Sequence, residues 1–518
     1  MSRSSVRALV ILALIAAVVR AQDAAAPAAT SSTAQPTAQQ QVAVQQNTPP
    51  PAPAGAPLTL EECIALAMKK NFDLKIQGYS VETARESLNI SRASFVPTFS
   101  FDSNRQVVNG SRLIEQNDGT FATRTNEYNS TRFNGGITQK VPQTNGTITL
   151  RGNLQRQSNG SPPFNSGATL QITQDLLANG GKLAATAPVE RSKIGLSIAY
   201  VNYRSRVLTV IRDVENAYYN LVTARENLRI RNNSLDLARK LLDENQLRRT
   251  TGVATDLEVA SAEVGVANAE RAVLQADQSV RSAEDSLLSL VNSGNLDARP
   301  GPVAFKEYTE GVPTFAVSYK AARDNYPDTL SAEETIKQLE LDVATSRRNK
   351  LPTLRVTGSI NYNNNEFSYG DALSNLPTNH GDEKNLGFSY SMPWGMKAER
   401  ARYRSSVASL NSQKVRLEQL ELQLLVSVRS AVRSVETNIA SVQIASKATE
   451  YAAKQYDLQK ARFDAGLSTS RLVLQAQDDL ESARVSELSA KATLWSSIAE
   501  LHRLEGSSIQ RFGVQLPQ

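Results

Sequence analysis

The chain has 518 residues, a formal net charge of +6 and a single cysteine, and these values bound its class. This length predicts about three ordinary domains, but the sequence repeats itself and fits two long repeats with a tail better. The single cysteine, Cys63, excludes a disulfide framework and a cysteine metal cluster, and the dispersal of basic among acidic residues excludes a nucleic-acid footprint.

Residues 1–21 have the pattern of a secretory signal peptide. Arg3 and Arg7 precede an apolar run from Leu9 to Val19, and Val19-Arg20-Ala21 provides a cleavage site. The run is shorter than the roughly 20 residues of a membrane-spanning helix, so we expect no transmembrane helix in the mature chain. Removing the three arginines of this segment lowers the formal charge from +6 to +3. Residues 22–57, rich in Ala, Pro and Gln, are predicted to be a disordered linker, because they contain few large apolar groups.

Ordered structure is predicted to begin at Leu58. Thr59 and Glu62 have the spacing of a capping box, so a helix should start there and run with interruptions to about Phe95. A counterpart opens near Phe315 and resumes after Pro327. Both halves of the chain therefore begin in the same way.

Two motifs recur in the same order, which indicates an internal duplication. Residues 91–99 (SRASFVPTF) return at 346–354 (SRRNKLPTL), and residues 252–255 (GVAT) return at 466–469 (GLST). We therefore predict a first structural repeat over residues 58–300, a second over residues 301–506, and a C-terminal tail over residues 507–518.

After Pro97 and Pro352 the apolar residues alternate with polar ones, as is typical of β-strands. Such alternation fits a half-buried sheet in water or a barrel wall in lipid, and alone it favours the soluble sheet. Residues 133–141 and 147–155 flank a turn at Asn145-Gly146 and have no match in the second repeat. We interpret them as an extra hairpin, near residues 133–156, that extends a loop.

Long helices follow the strands in both repeats. The first covers roughly 60 residues from about Pro188 to Leu247, or about 90 Å. Apolar residues recur every seven positions and alternate with alanine, which predicts helices that supercoil and approach closely. The clearest series are Val259, Val266, Val273, Val280 and Leu287, and Ala262, Ala269, Ala276, Ala283 and Leu290. We interpret a third series as a solvated acidic face, formed by Glu263, Glu270, Asp277 and Glu284.

Residue types that usually carry catalysis are scarce. The chain has two histidines, His380 and His502, and no Gly-rich phosphate loop follows a predicted strand. The acidic pair Asp478-Asp479 falls on a charged helix face. We therefore expect no enzymatic activity, no catalytic or metal site, and no cofactor.

Residues 462–469 (RFDAGLST) and 473–477 (VLQAQ) resemble the helix–turn–helix tip of the TolC family of outer-membrane efflux proteins. Residues 252–256, the motif DVENAY at 213–218, and the strand starts at Pro97 and Pro352 resemble the same family in the same order. The resemblance implies a mainly α protein with β structure. In this TolC-like trimeric α/β-barrel, long periplasmic coiled-coil helices continue a short transmembrane β-barrel, and the chain is internally duplicated.

The resemblance also implies a function. The chain would be the outer-membrane channel of a tripartite efflux or type I secretion system, a passive exit duct across the periplasm and the outer membrane of a bacterial cell. Its partners would be two further copies in a homotrimer, outer-membrane lipid, a periplasmic adaptor protein and an inner-membrane pump. The alternative is a non-enzymatic periplasmic coiled-coil adaptor or scaffold protein, which would carry a lipoyl-like or β-sandwich domain.

Candidate site residues follow from the resemblance position by position. The periplasmic tips that contact the adaptor would be formed by Gly252, Val253, Gly466 and Leu467. The candidate gate residues are Thr255, Asp256, Phe463, Ser468, Leu472 and Gln475. This chain lacks the tyrosine, arginine and acidic residues that the best-known member has at four of these positions. If the channel is closed at rest, we expect an apolar ring that includes Phe463 or Leu472 to close it. Asp256 would alternatively serve only as a helix N-cap residue.

Overall fold

The computed structural model describes residues 59–158, 161–252, 255–292, 300–305, 308 and 311–516. The predicted signal peptide and linker lie outside these described residues. The helices are α1 (Leu60–Lys70), α2 (Phe72–Ala93), α3 (Gly181–Thr250), α4 (Asp256–Val291), α5 (Phe315–Asn325), α6 (Pro327–Asn349), α7 (Tyr369–Ser374), α8 (Lys397–Asp464), α9 (Ser470–Glu505) and α10 (Ser508–Arg511). The strands are β1 (Thr98–Glu115), β2 (Phe121–Lys140), β3 (Thr147–Gln157), β4 (Phe164–Asp175), β5 (Thr353–Glu366) and β6 (Gly381–Ser391).

The first helix starts at the predicted capping box. Thr59 Oγ1 accepts a hydrogen bond from the Glu62 backbone N–H at 3.2 Å, and Glu62 Oε2 accepts one from the Thr59 N–H at 3.0 Å. The predicted interruption falls at Asn71, whose Oδ1 caps α2 by accepting from the N–H groups of Asp73 and Leu74. In the second repeat the break lies between Asn325 and Pro327, as the sequence indicates.

The duplication is visible in matching contacts between helices. Ser91 and Ser192 share a hydrogen bond of 2.7 Å between α2 and α3, and Ser346 and Ser406 share one of 3.0 Å between α6 and α8. The repeat offsets that align residues 91–99 with 346–354, and 252–255 with 466–469, also align these serines. The two repeats therefore pack their helices in equivalent ways.

The six strands form one antiparallel sheet in the order β1-β2-β3-β4-β5-β6. Its edge strands are β1 and β6. The first repeat contributes four strands and the second contributes two. Residues 133–141 and 147–155 pair with each other across the predicted turn, but they belong to β2 and β3, two interior strands, and do not extend a loop.

The two faces of the sheet differ in chemistry. One row of apolar side chains crosses five strands in direct register, and its members are Phe99, Ile137, Leu150, Leu170 and Ile360. The adjacent row on the other face is polar and consists of Thr98, Thr138, Thr149, Gln171 and Ser359. Phe99 and Leu150 remain about half exposed, at 53% and 51%. Among the described residues no hydrophobic layer covers these side chains, contrary to what a half-buried soluble sheet requires.

The apolar residues that recur every seven positions lie in the buried contacts between helices. Val259, Ala262, Ala276 and Leu287 of α4 are buried, and α4 packs along α3. α9 packs along α8 and also contacts α3. The solvated interpretation of the acidic series is wrong for Glu284, which is 8% exposed and pairs with Arg225 at 2.7 Å. Arg225 also donates to the carbonyl groups of Pro300 and Gly301, so its guanidinium group has polar partners besides Glu284.

The main hydrophobic core lies among α1, α3, α8 and α9, where Ile64, Ile211, Val428 and Leu501 are buried. Residues of the predicted C-terminal tail contribute to it through Ile509 and Phe512. Across the described residues, no helix is both long enough and apolar enough to span a membrane.

Candidate functional site

The candidate tips are the ends of two helical hairpins, α3–α4 and α8–α9. Gly252 and Gly466 follow the first helix of each hairpin with φ angles of +77° and +75°. At the second tip the N–H of Leu467 donates to the Arg462 carbonyl and the N–H of Gly466 donates to the Phe463 carbonyl. This pattern is a Schellman motif, which requires a left-handed residue after the helix. The two glycines thus terminate their helices, while Val253 lies outside the described residues.

Thr255 and Asp256 start α4. Thr255 is the N-cap residue, and its backbone N–H donates to Glu258 Oε2 at 2.8 Å in a second capping box. Asp256 forms an ion pair of 2.7 Å with Arg249 at the end of α3. The N-cap role that the sequence left open for Asp256 therefore belongs to Thr255, and Asp256 links the two arms of the hairpin instead.

Phe463 lies inside the protein. It is 3% exposed and packs with Leu241 and Val473 in a small core cluster. The guanidinium group of Arg248 lies 3.9 Å from the centre of its ring and also donates to the Phe463 carbonyl at 3.2 Å. This contact joins the end of α3 to the end of α8. Its burial leaves Phe463 almost no surface with which to line a channel.

The other candidate gate residues are more accessible. Leu472 is 40% exposed, Gln475 is also exposed, and Leu467 at the tip is 80% exposed. Ser468 donates a hydrogen bond of 3.3 Å to Gln459 Oε1 and so braces the turn. The structure therefore brings Phe463 and Ser468 into supporting contacts and leaves Leu467, Leu472 and Gln475 free to meet another molecule.

Three polar links between α3 and α9 were not anticipated from the sequence. Asn245, 1% exposed, donates to Ser470 Oγ at 2.8 Å, and Gln477 donates to the Ser234 carbonyl at 2.9 Å. Arg231 and Glu481 form an ion pair. The seven-residue frame of α3 contains the signal, since Ala217, Ala224 and Ala238 share a seam position with Arg231 and Asn245. Polar residues in such a seam fix the register of packed helices.

Exposed leucines on the first hairpin were also missed. Leu247 and Leu257 are 68% and 76% exposed and lie on either side of the Gly252 turn. Both fall outside the seven-residue series, which is the signal that they do not face a helix seam. Together with Leu467 they give the tips an apolar surface, and such a surface is typical of a protein-binding site.

The described residues of the tips present exposed apolar surface and not a cluster of ligating groups. Across the described residues, no group of three or more histidine, cysteine, aspartate or glutamate side chains is arranged to hold a metal ion. The tips instead combine turns of fixed geometry, a buried cation–π contact and exposed leucines.

Comparison with known proteins places the chain among outer membrane efflux proteins. The sequence model described as outer membrane efflux protein matches residues 142–293 and 318–507. The pyoverdine export outer membrane protein OpmQ of Pseudomonas aeruginosa is 26% identical over 306 residues, which cover 56% of this chain and 61% of OpmQ, less than two thirds of its length.

Two solved structures show the same fold. The Campylobacter jejuni CmeC outer membrane channel has a TM-score of 0.65 and 17% identity, covering 89% of this chain and 90% of CmeC. The open state of the Neisseria gonorrhoeae MtrE outer membrane channel has a TM-score of 0.60 and 20% identity, covering 86% of this chain and 88% of MtrE.

These findings confirm the predicted fold class and the outer-membrane location. The family match includes the second repeat from α5 to the start of the tail, and the first repeat from the β2–β3 turn onward. Since it covers well over half of the chain, the chain belongs to the outer membrane efflux protein family.

Proposed function

We propose that three copies of this chain form the outer-membrane channel of a tripartite efflux or type I secretion assembly, a passive and non-enzymatic exit duct. The observation that carries this proposal is the two-faced sheet joined to very long helices. Apolar side chains in register on one face suit lipid, and the polar face suits a water-filled interior. α3, with 70 residues, extends about 105 Å at 1.5 Å per residue, enough for a long tube outside the membrane.

The unpaired edges of the sheet support assembly with further copies. In the described chain β1 and β6 each have one neighbouring strand, so one side of each strand carries unpaired backbone groups. Lipid cannot satisfy such groups, and closure of the sheet with other copies removes both edges. The alternative of a periplasmic adaptor or scaffold is disfavoured, because the described strands form one sheet and not a sandwich.

The assembly is tested by crosslinking in intact cells, followed by purification of this chain and identification of its partners. We expect a trimer in the outer membrane that carries a periplasmic adaptor and an inner-membrane pump. Recovery of the mature protein from the soluble periplasm, or of a trimer without any inner-membrane component, would contradict the proposal. The identity of the pump would also indicate the class of cargo.

The exposed leucines support a role for the tips in binding the adaptor. Replacing Leu467 with aspartate places a charge where an apolar partner surface would lie, so Leu467→Asp should abolish co-purification of the adaptor while the trimer persists. Phe367→Asp is the matched control, since Phe367 is 71% exposed beyond the end of β5 that lies away from the helices. Retention of the adaptor by Leu467→Asp would contradict this role, and equal loss in both variants would show that the loss is not specific to the tip.

We also propose that Leu472 and Gln475 of the three copies close the resting duct near the tips. Their exposure supports this role. Thr255 and Asp256 would hold the first turn beside the gate, and Phe463 and Ser468 the second. In planar bilayers Leu472→Asp should raise ion conductance and Leu472→Phe should lower it. If neither variant changes the conductance, the duct is open at this level or closes elsewhere.

A further inference from the structure

The β2–β3 hairpin is the part of the sheet that the duplication does not explain. The repeated motif places the start of β1 in correspondence with the start of β5. β4 leads into α3 in the same way as β6 leads into α8, so these two strands also correspond. β2 and β3 thus stand between two matched strands and have no counterpart in the second repeat.

Neither strand of this hairpin connects directly to a helix. β1, β4, β5 and β6 each connect directly to a helix, namely α2, α3, α6 and α8. These four helices pack in that order, α2 on α3, α3 on α6 and α6 on α8, which repeats the order of their strands. At the end of the sheet that lies next to the helices, β2 and β3 connect only to each other, through the turn at residues 141–146. The sheet therefore has six strands, whereas only four helices continue directly from it.

The turn of the hairpin is fixed at the junction between sheet and helices. The Asn145 side-chain amide donates to the Asn179 carbonyl at 2.6 Å, and the Thr144 carbonyl accepts from the Gly181 N–H at 2.9 Å. Gln174 also donates to the Thr144 carbonyl, at 2.7 Å. These bonds tie the turn to the segment that leads from β4 into α3, so the hairpin is part of the wall.

Side chains of the hairpin match those of the neighbouring strands. Ile137 and Leu150 continue the apolar row that runs from Phe99 to Leu170, and both are exposed. On the other face Thr138 and Thr149 lie side by side, with their hydroxyl oxygens 3.4 Å apart. An exposed apolar face opposite a polar face suits the wall of a membrane barrel.

From this arrangement we propose that the β2–β3 hairpin widens the transmembrane pore relative to the helical tube, so that the barrel contains eighteen strands. The count rests on the proposed trimer, since six strands in each of three copies close the sheet, whereas four helix-bearing strands per copy would give twelve. With strands about 4.8 Å apart and tilted by about 40°, the backbone radius rises from roughly 12 Å to roughly 18 Å. The hairpin thus sets the size of cargo that passes the outer membrane, and the exit admits bulkier solutes than a twelve-stranded wall.

Pore sizing with neutral polyethylene glycols tests this directly. Polymers are added from the extracellular side of a planar bilayer, which probes the barrel independently of the distant tips. Deleting residues 110–160 leaves twelve-residue lengths of β1 and β4 joined through residues 161–163, in imitation of the β5–β6 hairpin. We expect the largest polymer radius that enters to fall by at least about 1.5-fold in the deletion variant, because side chains of similar length narrow both pores. An unchanged cut-off in an assembled trimer overturns the proposal.

Cysteine labelling tests the full-length chain and does not depend on folding of the deletion variant. In a Cys63→Ala background, which removes the single cysteine, Leu150→Cys should resist a charged, water-soluble maleimide while Thr149→Cys reacts. Leu170→Cys and Gln171→Cys are the matched pair on β4, directly beside them in the sheet.

The two pairs separate this proposal from the function on which it rests. Equal labelling of the β3 pair with unequal labelling of the β4 pair shows that the hairpin lies outside the wall, and overturns the proposal alone. Equal labelling of both pairs shows that the sheet does not face lipid, and overturns the proposed duct together with its eighteen strands.

Discussion

Glu215 is a carboxyl group buried within the helical core. It is 5% exposed, and its Oε2 has no hydrogen-bond partner among the described residues. Burial raises the pKa of Glu215 from 4.5 to about 7, and the positive charge of Arg511 from α10 opposes this rise. The folded protein therefore favours the uncharged form of Glu215, and burial of the charged carboxylate costs free energy.

This burial predicts a pH-dependent stability. Because the pKa is higher in the folded than in the unfolded state, the contribution of Glu215 to stability is most favourable below about pH 4.5 and falls as the pH rises to about 7. Glu215→Gln should remove this loss and stabilise the protein at pH 8 by up to about 3 kcal/mol. The thermal unfolding midpoint measured between pH 5 and pH 8 checks the result.

Glu190→Gln is the control for this substitution, because Glu190 is exposed on the same helix. It should leave the pH profile unchanged. A wild-type midpoint that rises between pH 5 and pH 7, or a Glu215→Gln profile that parallels it, would contradict the assignment.

Phe463 carries a second prediction at this scale. Its ring fills the cluster with Leu241 and Val473 beneath the Arg248 guanidinium. Phe463→Ala should therefore destabilise the two hairpin ends by about 3–5 kcal/mol through the cavity that it leaves. Hydrogen exchange would show this as faster exchange of amides in residues 241–248 and 463–473. The exposed Phe367→Ala should leave these rates unaltered, and unchanged rates in Phe463→Ala would show that the ring is not part of a core.

The position of Phe463 also shows why the sequence predicts some residues and not others. Thr59 with Glu62, and Gly466 with its neighbours, act over three to five positions, so their local pattern identifies them. Phe463 was expected in a gate because its position matched a family motif. Its burial depends on Leu241 and Arg248, more than 200 residues away in the chain, and no local pattern reports such a contact.

At the scale of elements, the sequence predicted the long helices well and the strands less well. The buried faces of α4 and α9 could be predicted from each helix alone, because their apolar residues recur every seven positions along it. β2 was predicted only from residue 133 but begins at Phe121. Its first half pairs with β1 over a long hairpin, and the two strands carry few apolar residues there, so the alternation that marks a strand is weak.

The helix-ending glycines make a prediction that belongs to this scale. No atom lies within 4 Å of a Cβ placed on Gly466, so Gly466→Ala changes only the backbone preference at a φ of +75°. We expect a loss of about 1 kcal/mol. Gly195 also has no atom within 4 Å of such a Cβ but lies within α3, where alanine is the better helix former. Gly195→Ala should therefore stabilise by about 0.5–1 kcal/mol. Chemical denaturation of the two variants checks the opposite signs, and equal signs would contradict the turn geometry.

At the scale of the whole molecule, the duplication accounts for the arrangement of the helices but not for the different numbers of strands in the two repeats. Equivalent serine pairs, equivalent breaks near Asn71 and Asn325, and equivalent turn glycines build the helical part twice. The sheet departs from this symmetry through β2 and β3, and the tips depart from it through Asp256 and Ser470. The places where the repeats differ are therefore the two ends of the proposed duct, where we expect cargo and partners to be distinguished.

The boundary between lipid and periplasm gives the last prediction. Trp394 is 97% exposed, and it follows the end of β6 immediately before α8, near the exposed Tyr390 and Phe388. Exposed aromatic residues at the end of a membrane strand mark the level of the lipid headgroups. Trp394 should then be quenched in proteoliposomes by lipids brominated near the headgroup, and less by lipids brominated near the chain ends.

The chain offers its own control, because it has two tryptophans and the second, Trp495, is 7% exposed and stacks on Tyr219 at 4.9 Å. Trp495→Phe should preserve the quenching and Trp394→Phe should abolish it. Quenching that survives in Trp394→Phe, or that is stronger for the deep bromines, would place the boundary elsewhere. The expected result fixes the membrane edge at the start of α8, so that all 68 residues of that helix extend away from the lipid towards the tip at Gly466.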